Sequence, residues 1–209
     1  MASQRLAGAE RSQAIVKAAL GLFARQGFDG ATTRSIARAA GVSEALVFKH
    51  FPDKDSLYRA ILESKIRDAE RALPLDDSLL ALDDEAFFLR VATDIIERVD
   101  ADDAFCRLML RSAMEGHDLA TEFHKARGGK LLGVIEKRIR SRIARSGGKA
   151  EEAVDPALAA RVFNGMILSA LLARRIFKEP VVSRASVDRV ARTLVRIFLE
   201  GISPEGRAS

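Results

Sequence analysis

The sequence predicts an all-α protein, and three observations carry that reading. Apolar residues recur at helical spacing through most of the 209 residues. No stretch alternates apolar and polar residues long enough to suggest a sheet. Capping residues, glycine stops and an Asp-Pro start divide the chain into about nine helices. A content of 48% hydrophobic residues, 5 Pro and no Trp suits one or two packed helical domains with a substantial core.

The elements follow in order. A first helix is expected from about Ala9 to Gln26, with Ile15, Ala18, Ala19, Leu22 and Phe23 on one face and Gly27 as its stop. Thr32 or Thr33 caps a second helix, whose apolar positions are Ile36, Ala37 and Ala40. Gly41 ends it, because glycine enters the left-handed region without a steric cost. Val42 plugs the corner, and Ser43 caps a third helix from about Glu44 to His50. Pro52-Asp53 breaks the chain, and Asp53 caps a fourth helix from about Lys54 to Leu73 with Leu57, Ile61 and Ile66 as its core stripe.

Pro74-Leu75-Asp76-Asp77-Ser78 is the expected boundary between an N-terminal domain, residues 1–73, and a C-terminal domain, residues 74–209. Helices are then expected over about Asp83 to Val99, Ala104 to Glu115 and Leu119 to Ala144, followed by a loop at Ser146-Gly147-Gly148-Lys149. Asp155-Pro156 starts a helix that reaches about Phe177, since Asp caps and Pro suits the first helical position. Glu179-Pro180 ends it, and Ser183 or Ser186 starts a last helix ending near Gly201. The tail after Ile202 is polar and expected to fray.

Residues 32–58 are the most informative stretch. A capped helix, a short glycine turn and a second capped helix make the helix-turn-helix pattern, whose second helix enters the DNA major groove. Charge agrees with a polyanionic partner. Residues 1–73 carry 12 Lys+Arg against 8 Asp+Glu, whereas the remainder carries 22 against 21, so most of the net +5 lies with the motif.

The same stretch resembles the TetR family of tetracycline-repressor-like regulators. The family pattern, Thr-x-x-x-Ile-Ala-x-x-Ala-Gly-Val-Ser followed by a short recognition helix and His-Phe-x-x-Lys-x-x-Leu, is matched by Thr32, Ile36, Ala37, Ala40, Gly41, Val42, Ser43, His50, Phe51, Lys54 and Leu57. The preceding Phe23-Ala24-Arg25-Gln26-Gly27-Phe28 is similar to the family as well. The motif covers about a quarter of the chain; beyond residue 70 the likeness is one of length and helical layout. The resemblance implies an N-terminal three-helix helix-turn-helix DNA-binding domain and a C-terminal helical ligand-binding and dimerisation domain. It also implies a dimeric regulator, usually a repressor, that reads two half-sites of a palindromic operator. Ligand in the C-terminal domain then shifts the packing beneath the fourth helix and changes the separation of the recognition helices.

The recognition helix departs from the family pattern. Where the family usually offers a small residue, a Thr and a Tyr, this chain has Ala45, Leu46 and Phe48. Two neutral hydrogen bonds to phosphate, worth roughly 1 kcal/mol each, are then absent, about one to two decades of affinity. Lys49 can compensate as a charged phosphate contact, and Phe48 can pack on a thymine methyl. The expected DNA-binding residues are Thr33, Arg34, Ser43, Glu44, Ala45, Phe48, Lys49, His50 and Lys54. Arg34 reaches either a guanine edge or only phosphate, and Lys54 with the start of its helix grips a phosphate. Val47 and Phe51 are expected to pack inward, and Leu46 to be either buried or groove-facing.

An effector pocket in the C-terminal domain is expected from a richness in Phe and Met. Its candidates are Phe87, Phe88, Val91, Phe105, Met109, Met114, Phe123, Phe163 and Met166, adaptable side chains suited to an apolar or aromatic ligand. His117, with His124 seven residues on, would orient a polar group of that ligand. A Phe and Met stripe at helical spacing is more often plain core. A dimer face is expected from Val162, Met166, Ser169, Ala173, Val187, Val190, Leu194, Ile197 and Phe198, pairing two helical hairpins into a four-helix bundle; alternatively these stripes pack within one subunit.

No catalytic constellation, metal site or cofactor motif is expected: there are 3 His, no His-Glu-x-x-His pair, no Gly-rich phosphate loop and no Gly-x-Ser-x-Gly elbow. The one cysteine, Cys106, excludes an internal disulfide and fits a reducing compartment. No signal-peptide core opens the chain, and the apolar run Val162 to Ala173 is too short to span a bilayer, so a cytoplasmic protein with no membrane partner is expected. The alternative to a regulator is a ligand-sequestering or protein-interaction module with weak DNA binding, motivated by Leu46 and Phe48.

Overall fold

A computed structural model describes residues 8–145 and 154–202, and every described element is helical. The helices are α1 (Gly8–Gly30), α2 (Thr33–Ala40), α3 (Glu44–His50), α4 (Lys54–Ala72), α5 (Asp77–Leu80), α6 (Asp84–Ala101) and α7 (Ala104–Glu115). There follow α8 (119–145, with a π-helical turn at His124–Gly128), α9 (Pro156–Ile176, π-helical over Leu172–Ile176), α10 (Pro180–Arg184) and α11 (Val187–Gly201). The two elements that the sequence does not announce are α5, with 4 residues, and α10, with 5. Neither is long enough to show an apolar period; each rests on a cap, from Asp76 and Glu179 respectively. The loop expected at Ser146–Lys149 and the tail beyond Ile202 lie outside the described residues.

The chain packs as two compact units, which do not coincide with a split at residue 73. The first comprises the described residues up to Asp68 together with Ala104–His124. Its core gathers Ile15, Phe23, Ile36, Val47, Leu57 and Ile61 with Leu108 of α7 and Leu119 of α8, the last two almost wholly buried. Burial of these leucines takes α7 and the start of α8 into the unit of the helix-turn-helix. α1 is broken at Gly27, whose φ of 78° is a left-handed conformation that a side chain would strain. Arg111 of α7 closes that break: its Nη1 donates to the Arg25 carbonyl at 3.0 Å and its Nε to Glu115 at 2.6 Å. A Cβ on Gly27 would stand 3.0 Å from the Arg111 Nε.

The second unit comprises Ala69–Asp103 and the described residues from Lys125 onward. Phe88 is fully buried, with the rings of Phe87, Phe163 and Phe198 at 5.2, 4.9 and 5.2 Å. Three arginines satisfy the carbonyls at the end of α4: Arg90 bonds the Ala72 oxygen at 2.7 Å, Arg127 the Leu73 oxygen at 2.6 Å, and Arg98 the Ala69 oxygen at 3.4 Å. Arg127, from the π-helical turn of α8, is itself buried.

Two carboxylates of α6 titrate in opposite directions. Burial pushes Asp94 above the ordinary carboxylate range, against the attraction of Arg98, whose Nη1 lies 2.6 Å away. Burial also opposes ionisation of Asp84, but hydrogen bonds from Arg142 and Arg145 outweigh it and hold that group below the usual range.

α9 extends beyond the apolar run Val162 to Ala173. At 21 residues it is long and apolar enough to cross a membrane by length and composition, because Arg161 interrupts the apolar run without ending the helix. Ala159, Ala160, Phe163, Ile167 and Leu171 bury one face in the core of the second unit, and the opposite face is also apolar. A helix with two apolar faces has the composition of a spanning helix whatever it packs against.

Candidate nucleic-acid interface

The candidate surface is built by two short helices whose ends are closed locally. Thr32 and Ser35 form a reciprocal capping box at the start of α2: the Ser35 N–H donates to the Thr32 hydroxyl and the Thr32 N–H to the Ser35 hydroxyl, each at 3.1 Å. Gly41, at φ 67° and ψ 31°, ends α2, and the Val42 N–H returns to the Ala37 carbonyl at 3.0 Å. Ser43 caps α3, its hydroxyl accepting from the Leu46 N–H at 3.2 Å. Asp53 caps α4, accepting from the Ser56 N–H at 2.7 Å, and that hydrogen bond is the chief reason its carboxyl is held low.

This framework fixes which side chains face inward. Ile36, Ala37, Val47 and Phe51 are buried and anchor both helices to α1 and α4. Arg34, Arg38, Ser43, Ala45, Phe48 and Lys49 are exposed, with Phe48 at 48% a large apolar side chain left in water. Leu46 and His50 are half-buried, so Leu46 is neither a core residue nor a free surface residue. Thr33, the first residue of α2, donates its hydroxyl to Glu44 at 2.7 Å, and the other Glu44 oxygen lies 3.7 Å from the Arg34 Nε.

Lys54 departs from the expectation of a phosphate grip. Its ammonium donates to the Phe28 carbonyl at 2.8 Å and stands 4.5 Å over the Phe28 ring, so it closes the end of α1. No local signal announces this, since the partner is 26 residues away.

The ten expected effector residues fall in both units. Phe105, Met109, Met114, His117 and Phe123 belong to the first unit, and Phe87, Phe88, Val91, Phe163 and Met166 to the second. Phe87, Phe88, Val91 and Phe163 are 0% exposed and fill the core, whereas Met114 is 81% exposed. Phe105 packs edge-on against Phe123 at 5.0 Å. His117 lies against Phe28 and Tyr58, with ring centroids 5.1 and 6.1 Å away, at the edge of a polar cleft of about 320 Å³ that Asp55, Arg59 and Glu122 also line. Burial pushes the Tyr58 phenol up, against a hydrogen bond with Ser112. Hydropathy cannot separate such a packed aromatic core from a ligand pocket, because both use the same side chains.

On α9 and α11 the expected dimer face is partly open. Val162 and Ile197 are each 57% exposed and Ser169 is exposed, while Met166, Ala173, Val187, Val190 and Leu194 are half-buried. Phe198 is a correction: it turns inward, 4% exposed, onto Phe88 and Phe163. Leu158, Val162, Met166 and Ile197 line an open apolar groove of about 460 Å³.

Two family models match this chain. Residues 15–61 match the bacterial regulatory proteins of the tetR family, and residues 88–201 match the C-terminal domain of AefR-like transcriptional repressors. The chain belongs to the TetR family of transcriptional regulators. The first match spans α2 and α3 with parts of α1 and α4, and the second spans more than half of the chain. The uncharacterized HTH-type transcriptional regulator YvkB of Bacillus subtilis is 23% identical over 194 residues, 91% of this chain and 96% of that protein. Among solved structures, Bacillus subtilis FadR in complex with stearoyl-CoA has a TM-score of 0.70 at 16% identity, covering 91% of this chain and 99% of its own. AibR in complex with isovaleryl coenzyme A and operator DNA has a TM-score of 0.67 at 20% identity, covering 90% and 97%. These two likenesses carry the fold. The TetR relatives are regulators of transcription and not enzymes.

Proposed function

We propose that this TetR-family regulator acts in the cytoplasm as a homodimeric repressor that reads a palindromic operator and is released by a small effector with a substantial apolar part. The observation that carries the reading is the division of α2 and α3 into a buried side, Ile36, Ala37, Val47 and Phe51, and an exposed side bearing Arg34, Arg38, Ala45, Phe48 and Lys49. In this reading Arg34 addresses a base edge, Phe48 a thymine methyl, and Lys49, His50 and the Thr33 and Ser43 ends of the helices the phosphates. A second copy covers Leu158, Val162 and Ile197, which otherwise stand in water. That pairing also accounts for the second apolar face of α9.

AibR and FadR each bind an acyl-CoA, so such thioesters head the panel of compounds to test. The filled core around Phe88 supports a site that opens when the ligand enters, by displacement of packed side chains.

The experiment is fluorescence anisotropy of the full chain with its own promoter region across a salt series, beside scrambled DNA. Nanomolar binding that exceeds scrambled DNA and weakens steeply with salt is the expected result. Equal, weak binding to the promoter, to scrambled DNA and to every pool of a genome-wide oligonucleotide selection favours the sequestering module instead.

A further inference from the structure

We propose that Glu44 is a positioning residue for sequence discrimination: it orients Arg34 for base reading and acts through that arginine, not by touching a base itself. The proposal rests on the DNA-reading role of α2 and α3. Glu44 is the first residue of α3 and its carboxylate bridges back to the first turn of α2, accepting from the Thr33 hydroxyl at 2.7 Å and facing the Arg34 Nε at 3.7 Å. The Thr33 bond is part-buried and fixes the carboxylate, whereas the Arg34 side chain is 81% exposed. An anchored acceptor therefore meets a long cation that is otherwise loose.

Two physical arguments give this contact a purpose. A carboxylate on a surface that meets phosphates repels every DNA sequence alike, so its presence lowers affinity without regard to sequence. What it supplies in exchange is direction. By meeting the guanidinium on its Nε side, Glu44 keeps the two Nη groups available for the parallel pair of hydrogen bonds to guanine O6 and N7. It also withholds the Nε side from phosphates, the contacts that carry no sequence information. Glu44 thus lowers binding to all DNA while raising the preference for one base.

The test uses full-length protein, the operator recovered by oligonucleotide selection, and a set of operators substituted symmetrically one base pair at a time. The pair at which Arg34→Ala loses discrimination defines the base that Arg34 reads. Glu44→Gln keeps an acceptor for Thr33 but removes the charge. It is expected to bind scrambled DNA about threefold to tenfold more tightly, with one repulsive charge gone. Discrimination at the Arg34 pair is expected to fall about fivefold to tenfold. In the Arg34→Ala background Glu44→Gln then changes that discrimination no further. Thermal melting of each variant verifies that the fold is kept.

Three results overturn the proposal. Unchanged discrimination in Glu44→Gln leaves the residue a bare surface charge. An equal fall with and without Arg34 makes Glu44 a base reader in its own right. Failure of the wild-type chain to prefer any selected operator over scrambled DNA removes the DNA-reading role itself, and the wild-type row alone reveals that case.

Discussion

The face of α2 and α3 and the face of α9 and α11 both leave large apolar side chains in water, yet their charges differ. With Phe48, α2 and α3 also expose Arg34, Arg38 and Lys49, and Glu44 faces Arg34 at 3.7 Å. Along α11, which carries Ile197, two arginines are paired with carboxylates, Arg192 with Asp188 and Arg196 with Glu200, each at 2.8 Å. Exposed apolar area alone does not name a partner; the charge beside it narrows the choice. A cationic surround suits a polyanion, and an apolar stripe beside paired charges suits a copy of the same surface.

The largest effect is expected where the two faces depend on each other. Val162→Glu combined with Ile197→Glu places like charges on a self-complementary face and leaves the core untouched, since both side chains are already exposed. Sedimentation should show monomers with unchanged helix content. Operator affinity should fall about a hundredfold or more, because the second half-site is no longer engaged through a tether. Monomers that bind the operator as well as wild type would uncouple the faces.

Arg34→Ala comes next. Loss of a bidentate guanine contact should weaken operator binding about fivefold to 150-fold, and loss of the positive charge should weaken binding to scrambled DNA by a smaller factor. A uniform loss for all DNA would make Arg34 a phosphate contact.

Asp84→Asn touches neither face and tests whether stability and binding separate. The Arg142 and Arg145 hydrogen bonds hold the folded-state pKa of Asp84 below the ordinary aspartate range, so its ion pairs stabilise above that range. The benefit is lost as pH falls through the folded-state value. Urea unfolding should show the variant about 1 to 3 kcal/mol less stable at neutral pH, with the gap closing in acid, while operator binding at neutral pH stays as in wild type. A gap that persists unchanged in acid would rule out the charge as its source.

The smallest effect belongs to Phe48→Tyr, which restores a hydroxyl to the recognition helix. One neutral hydrogen bond to phosphate, about 1 kcal/mol, should tighten binding about fivefold. No gain, measured by the same anisotropy, would show that the ring sits away from the backbone.

Much of the fold was legible because its signals are local. Caps at Thr32, Ser43, Asp53, Asp155 and Ser186 and the left-handed Gly41 each lie within a few residues of what they close, and the long helices carry apolar periods. The inward turn of Val47 and Phe51 followed from the same period. The contacts that escaped are those made across the chain by long cations. Lys54 reaches Phe28, Arg111 reaches Arg25 across 86 residues, and Arg127 reaches Leu73 across 54. Each satisfies carbonyls at a helix end, a need that the sequence states at one end only. The assignment of α7 to the first unit depended on Leu108 and Leu119, whose burial partners no pattern within α7 or α8 names. Phe198 failed for another reason. A helix with apolar residues on two faces does not say which faces the core.

The most direct test compares wild-type binding to a palindromic operator and to a DNA carrying one intact half-site, by anisotropy with sedimentation to count the chains bound. Two chains on the palindrome and a preference of about a hundredfold or more over the single half-site are predicted, because both faces then act at once. Equal affinity for the two DNAs, with one chain on each, would contradict the account.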